Sequence, residues 1–152
     1  MLIVDYVMGL PAPLREGALR TAVLEPHPDC AKASIAAGKI LLKASPPMEP
    51  EAQRYFRHAL ELNGDDSEAL YQVGLNHMKQ DQPDEARALL TRSFERGYRQ
   101  PGVYLRLAEL DGRRGDVAGA RAWLKLGLAR YDGTSAAPRL RGALEALSEP
   151  DN

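Results

Sequence analysis

The stretch HPDC, residues 27–30, gathers an imidazole, a carboxylate and a thiol, the side chains that metal binding or nucleophilic catalysis would draw on. Pro26 and Pro28 bracket it, and two prolines so close mark a turn between helices, with Asp29 as the expected N-cap of the helix that follows. The other histidines, His58 and His77, stand far away in sequence, and there is no His-x-x-x-His or Cys-x-x-Cys spacing. NGDDSE, residues 63–68, has too few spaced oxygen ligands for a calcium loop. No strand pattern is present, so no glycine-rich phosphate loop can follow one. The chain therefore reads as noncatalytic, with no metal and no cofactor, and its function falls to the surfaces that its helices present.

Composition narrows the partners of those surfaces. With 152 residues, 44% hydrophobic and 27% charged, the chain has the profile of one soluble globular domain. Lys and Arg number 20 against 21 Asp and Glu, so no global basic field recruits nucleic acid and any electrostatic preference is local. The single cysteine, Cys30, excludes an internal disulfide and fits a reducing compartment. The opening MLIVDYVMGL is apolar, but Asp5 interrupts it and Pro11 follows, so it falls short of the about 20 residues of a membrane-spanning helix. It also lacks a basic start and a small-residue cleavage site. This segment is expected to pack on the first helices. The sharper alternative is an adhesive arm that pairs two copies weakly, or the end of a membrane-proximal segment. The expected location is cytoplasmic, with the inner membrane reached through a partner or a preceding segment.

Positioning elements emerge from a repeat. Residues 67–100 lie over 101–134 without a gap: Leu70 over Tyr104, Val73 over Leu107, Gly74 over Ala108, Ala86 over Ala120, Leu90 over Leu124, Ser93 over Gly127. Large residues match large ones and small match small. Within each unit the apolar residues recur at helical spacing, as in Leu70, Val73, Gly74 and His77, then Ala86, Leu89, Leu90, Ser93 and Phe94. Each unit is thus two helices, the second beginning at Pro83 or after Gly115 and Asp116, which read as C-cap and N-cap. Neither helix buries its stripe alone, so the units must stack.

The pattern resembles the tetratricopeptide repeat, whose 34 residues carry small side chains at positions 8, 20 and 27. Gly74 and Ala86 fill two of these places, where the paired helices approach closely. Upstream, Gly38 takes position 8, Ala52, Phe56, Ala59 and Leu60 take 20, 24, 27 and 28, and the intervening ASPPMEP is two residues longer, an insertion suited to a surface turn. Asp65 and Glu68 read as a capping box for the next helix. Departures are His77 at position 11, Ser93 and Gly127 at 27, and Tyr98 and Asp132 at 32. The resemblance implies an all-α, right-handed superhelix of antiparallel helix pairs. It would comprise an apolar arm and leading helix over 1–30, repeats over 31–66, 67–100 and 101–134, and a capping helix and tail over 135–152. In SAAPRLRGALEALSE, Leu140, Ala143, Leu144 and Leu147 share a face, with Arg139, Arg141 and Glu145 off it.

In this family the first helices line a concave surface, chiefly at positions 2, 5, 6, 9, 12 and 13. Here these hold Lys32, Ile35, Ala36, Lys39, Leu42 and Lys43, then Glu68, Tyr71, Gln72, Leu75, Met78 and Lys79, then Gly102, Leu105, Arg106, Glu109, Gly112 and Arg113. Six are basic and two acidic, on a chain of net charge −1, so the groove is expected to be apolar and locally positive. Ile35, Leu42, Tyr71, Leu75, Met78 and Leu105 are the expected apolar anchors, outside the stacking stripe. Lys39, Gln72, Lys79, Arg106, Glu109 and Arg113 are the expected polar contacts. The carboxylate clamp of some family members would need residues that are here Ile35, Lys39, Gln72, Gly102 and Arg106, and only Arg106 fits. The resemblance implies a scaffold that binds an extended or helical protein segment bearing apolar and acidic residues. The Ala- and Arg-rich style points to bacterial envelope, pilus or exopolysaccharide assembly, with a partner that can be membrane-associated. The alternatives are a class II type secretion chaperone for a hydrophobic translocator and the targeting module of a larger enzyme.

Overall fold

The computed structural model describes residues 3–147, so Met1, Leu2 and the tail 148–152 of the expected segments lie outside the described residues. The described residues form helices and turns without strands: α1 (Ile3–Gly9), α2 (Ala12–Leu19), α3 (Ala31–Leu42), α4 (Glu49–Leu62), α5 (Ser67–Lys79), α6 (Pro83–Glu95), α7 (Pro101–Arg113), α8 (Val117–Tyr131) and α9 (Ala137–Ala146). The chain runs on from α2 through a π-helical turn, Arg20–Leu24, closed by the Glu25 amide donating to the Arg20 carbonyl at 2.9 Å. Pro26, with no N–H to offer, comes directly after. Helices α3 and α4, α5 and α6, and α7 and α8 form the closest pairs, and each pair stacks on the next, with α9 against α8.

Two core clusters run along this stack. The first joins Val7 and Leu19 to Ile35, Leu41, Phe56 and Val73; the second joins Leu90, Tyr104, Leu107, Leu124 and Leu140. Full burial contributes about 1.5–3 kcal/mol for each such side chain. The small residues have the expected role. An added Cβ on Gly38 would sit 2.8 Å from the Phe56 ring, and one on Gly74 3.0 Å from Leu90. Ala52, Ala59, Ala86 and Ala120 are fully buried. The arm packs on the first helices through buried Val7, and Arg15 ties it down by donating to the carbonyls of Leu10 (2.9 Å) and Met8 (3.3 Å).

The departures from the repeat pattern acquire physical reasons. Ser93 is buried and its hydroxyl donates to the Ser67 carbonyl at 2.6 Å, so position 27 of that unit also secures the start of α5. Gly127 lies against Tyr104, where an added Cβ would meet the Tyr104 Cβ and Cγ at 3.1 Å. His77 is half-buried rather than core, and its Nδ1 lies 2.6 Å from the Gln82 side chain across the α5–α6 turn. Tyr98 stacks on Tyr71, and Asp132 meets Arg141 at 3.4 Å.

Two expectations about helix ends differ and a third holds. Asp66, not Asp65, caps α5, accepting from the amides of Glu68 and Ala69 at 3.0 Å each. Asp65 instead accepts from Arg92 and Arg96 of the neighbouring helix end, and Glu68 turns to Lys39. The Arg92 hydrogen bond holds the Asp65 carboxyl below the usual carboxylate range. The N-cap of α3 is Cys30 without a side-chain bond, so Asp29 does not cap it. Gly115 does take the left-handed turn after α7, with φ +78°, and Asp116 caps α8 through the Gly119 amide at 2.8 Å.

A polar contact that the sequence did not announce sits between α6, α7 and α8. Asp111 is only 2% exposed; it accepts from Arg87 Nε at 2.6 Å and from the Trp123 indole N–H at 3.0 Å. The hydrogen bond to Asp111 raises the Arg87 pKa further above its already high value. Both carboxylate oxygens are thus satisfied in a site where an unpaired charge would be costly. Around it Trp123 meets Phe94 edge-on at 5.0 Å, and Phe94 meets Tyr104 at 5.5 Å.

Candidate concave binding groove

The first helices α3, α5 and α7 carry the predicted groove residues. Helical spacing puts positions 2, 5, 6, 9, 12 and 13 on one side of each first helix, away from the stripe that meets its pair. Between α5 and α7 the structure brings Leu75, Met78, Lys79, Arg106, Glu109 and Arg113 around one depression of about 230 Å³. All six are predicted residues. Between α3 and the start of α5 a second depression, about 360 Å³, gathers Lys32, Ile35, Ala36 and Lys39 with Asp66, Ser67 and Glu68. A third, about 260 Å³, lies between α7 and α9 and is walled by Leu105, Arg106, Ala108, Glu109, Leu124, Arg139, Ala143 and Leu147.

The charges are arranged unevenly. Glu109 is held from both sides on its own helix, with Arg106 Nη1 on one oxygen and Arg113 Nη2 on the other, each at 2.8 Å. Lys39 reaches Glu68 at 2.7 Å, linking two successive first helices. Lys79 reaches Glu49 at the start of α4 at 2.6 Å. These pairs are substantially exposed, so each contributes little to stability, about 0–1 kcal/mol, and exchanges readily for a ligand's charge.

The apolar anchors need correction. Ile35 is only 6% exposed and belongs to the first core cluster, so it offers no more than an edge to its depression. Leu42 packs against the same cluster, and Tyr71, Met78 and Leu105 pack in part against the second. The reason is the tight stacking of neighbouring pairs, which draws position 5 inward. Tyr71 is the extreme case. Its ring stacks on Tyr98 with centroids 4.5 Å apart, and its hydroxyl lies in the space that a Cβ on residue 102 would take. Gly102, which sequence reasoning counted only as a neutral groove position, is therefore the space that Tyr71 occupies. Burial raises the Tyr71 pKa, opposed by the nearby guanidiniums of Arg106 and Arg139. Leu42, Tyr71 and Gln72 line none of the three depressions. Leu75 and Met78 are half-buried and are flanked by three cations and Glu109.

Sequence reasoning missed the contribution of α9. It placed Arg139 on the solvent side of a capping helix, whereas Arg139, Ala143 and Leu147 wall the third depression. The helix follows α8 as a first helix would, so its Arg139–Ala143–Leu147 row, spaced by four, faces the groove. Extending the groove positions one unit past 134 would have found it.

Among the described residues no group of three or more His, Cys, Asp or Glu side chains is placed to hold a metal ion, and no helix is long and apolar enough to cross a membrane. His27, Asp29 and Cys30 are exposed in the turn before α3.

No family model and no curated protein matches the chain. Solved structures do. PilF of Pseudomonas aeruginosa is similar with a TM-score of 0.70 at 20% identity, covering 95% of this chain and 69% of that one. A thermophilic TPR protein of Thermus thermophilus is similar with a TM-score of 0.66 at 17% identity, covering 86% and 72%. The Yersinia enterocolitica type III secretion chaperone SycD, solved in complex with a peptide of the translocator YopD, is similar with a TM-score of 0.64 at 17% identity, covering 77% and 91%. The chain has the tetratricopeptide-repeat fold, an all-α superhelix of helix pairs.

Proposed function

We propose that this protein is a noncatalytic scaffold whose concave face holds a peptide segment of another protein. One observation carries the reading. Leu75 and Met78 form an apolar floor between two stacked first helices, and Lys79, Arg106, Arg113 and Glu109 surround it. Half-buried aliphatic and thioether groups give adaptable apolar contact, and surrounding charges set register. Of the expected anchors, Leu75 and Met78 lead and Leu105 extends the surface toward α9. Ile35, Leu42 and Tyr71 support the walls, and Gln72 lies outside the three depressions. Lys39 plays the same charged part at the α3 end.

Two settings suit this module. The similar structure of PilW, a type IV pilus biogenesis factor, supports a role in assembling an envelope structure such as a pilus. SycD, matched over 91% of its length, supports a chaperone that shields a hydrophobic segment of a secreted translocator. The gene neighbourhood separates them: an adjacent translocator gene favours the chaperone, and pilus or polysaccharide genes favour the assembly scaffold. The groove itself is tested once a partner is recovered by co-purification and mass spectrometry. Leu75→Ala combined with Arg106→Glu is expected to weaken that partner by about tenfold or more in calorimetry, with an unchanged helical spectrum. Unchanged affinity would remove the groove from consideration.

A further inference from the structure

The third depression differs from the other two in its charge. In the first, Arg113 and Arg106 share Glu109, and Lys79 has Glu49; in the second, Lys39 has Glu68, and Lys32, without an ion pair among the described residues, is offset by a second lining carboxylate, Asp66. Arg139 of α9 forms no ion pair among the described residues, although it and Arg106 both line a hollow whose other residues, Glu109 apart, are aliphatic. Both guanidiniums also act on the Tyr71 hydroxyl, which places that hydroxyl near them. Tyr71 is fixed in turn by Tyr98 behind it and by the missing side chain of Gly102 below it. The floor of the hollow is supplied by Leu105, Ala143 and Leu147.

We propose that the α7–α9 depression reads an acidic side chain flanked by an aliphatic one in the bound segment, with Arg139 and Arg106 holding the carboxylate and the Leu105–Ala143–Leu147 hollow taking the aliphatic group. This rests on the groove reading above and gives it a direction, because the acidic residue fixes which end of the segment lies at α9. Charge complementarity argues for this occupant. Two cations face a single fixed carboxylate, Glu109, which Arg113 already shares, so a further anion completes the set rather than crowding it. A guanidinium meets a carboxylate with paired N–H donors, the geometry in which such contacts are strongest.

The test is a phage-displayed library of random 12-residue peptides, fused through their carboxyl ends so that no free C-terminus competes, selected on the full chain. Enriched peptides are expected to carry Asp or Glu within four positions of Leu, Ile or Met. A synthetic enriched peptide should lose about tenfold in affinity on Arg139→Gln, and equally when its own acidic residue becomes the amide, with little further loss when the two changes are combined. Arg139 is exposed, so its replacement leaves the fold intact. Photo-crosslinking of the same peptide, mapped by mass spectrometry, separates the two levels of the argument. Crosslinks to α5, α7 or α9 without any acidic preference, or an Arg139→Gln effect below twofold, overturn the acidic reading and leave the groove standing. Crosslinks confined to α4, α6 or α8, or a selection that enriches nothing, overturn both.

Discussion

The pair α3–α4 and the pair α7–α8 occupy equivalent places in the repeat, yet they are filled with opposite distributions of bulk. In the first, the aromatic volume lies on the second helix, where Phe56 presses into the notch left by Gly38, while position 4 of the first helix is the small Ser34, bonded to His58 at 2.9 Å. In the third, position 4 is Tyr104, the second helix yields with Gly127, and position 8 has grown from glycine to Ala108 opposite Leu124. The middle pair is intermediate, with Gly74 against Leu90 and Leu70 matched by Ser93. A bulky residue on one helix is met by a small one on its partner, because interiors are packed at crystal-like density and tolerate neither void nor overlap. Position 11 diverges in chemistry as well: Leu41 in the apolar first pair, His77 in the second, and in the third Asp111, paired with Arg87 and Trp123.

Consequences differ between the two ends, and urea unfolding followed by circular dichroism measures them. The largest effect is expected for Phe56→Ala, which empties the Gly38 notch and should cost about 3–5 kcal/mol. Next comes Asp111→Ala at about 2–3 kcal/mol, because Arg87 and the Trp123 N–H lose their acceptor in a largely closed site; an effect under about 0.5 kcal/mol would mean that water replaces the carboxylate freely. Third, Gly38→Ala and Gly127→Ala should each destabilise by about 1–2 kcal/mol, since overlap with Phe56 or the base of Tyr104 outweighs the helix propensity gained. Gly74→Ala should lie near zero, because Leu90 can rotate away and Ala108 already occupies the same position opposite a leucine. Equal costs at all three glycines would refute the exchange of volume between helices. The smallest effect belongs to Asp65→Asn, about 2 °C or less in Tm for an exposed pair. Its pH dependence has a definite sign: the folded-state pKa is lowered, so the contribution is present above the usual carboxylate value and is lost as pH falls through the folded value, below about pH 4.

Much of this was legible in the chain. The ungapped match of 67–100 with 101–134 gave the helix pairs, and the small residues at Gly38, Gly74 and Ala86 marked where helices cross. Six of the predicted residues, Leu75, Met78, Lys79, Arg106, Glu109 and Arg113, come together around one depression between α5 and α7, because helical periodicity alone fixes which side chains share a face. Ile35 and Tyr71 were misjudged as free surface, since periodicity says nothing of how closely the next pair stacks. Asp111 escaped notice because a lone carboxylate at position 11 carries no sequence signal until Arg87 and Trp123 arrive from other helices.

The sequence by itself therefore determined the repeat, the starts of the second helices at Pro83 and after Asp116, and which side chains of each helix share a face, all of which depend on local spacing and on chain geometry. The tertiary structure alone decided which of those side chains stay available, that Arg139 joins the groove from the last helix, and that Gly102 exists to seat Tyr71. These are contacts between residues distant along the chain, and their distances follow from how the pairs stack, a property of summed side-chain volumes and not of any one stretch of sequence.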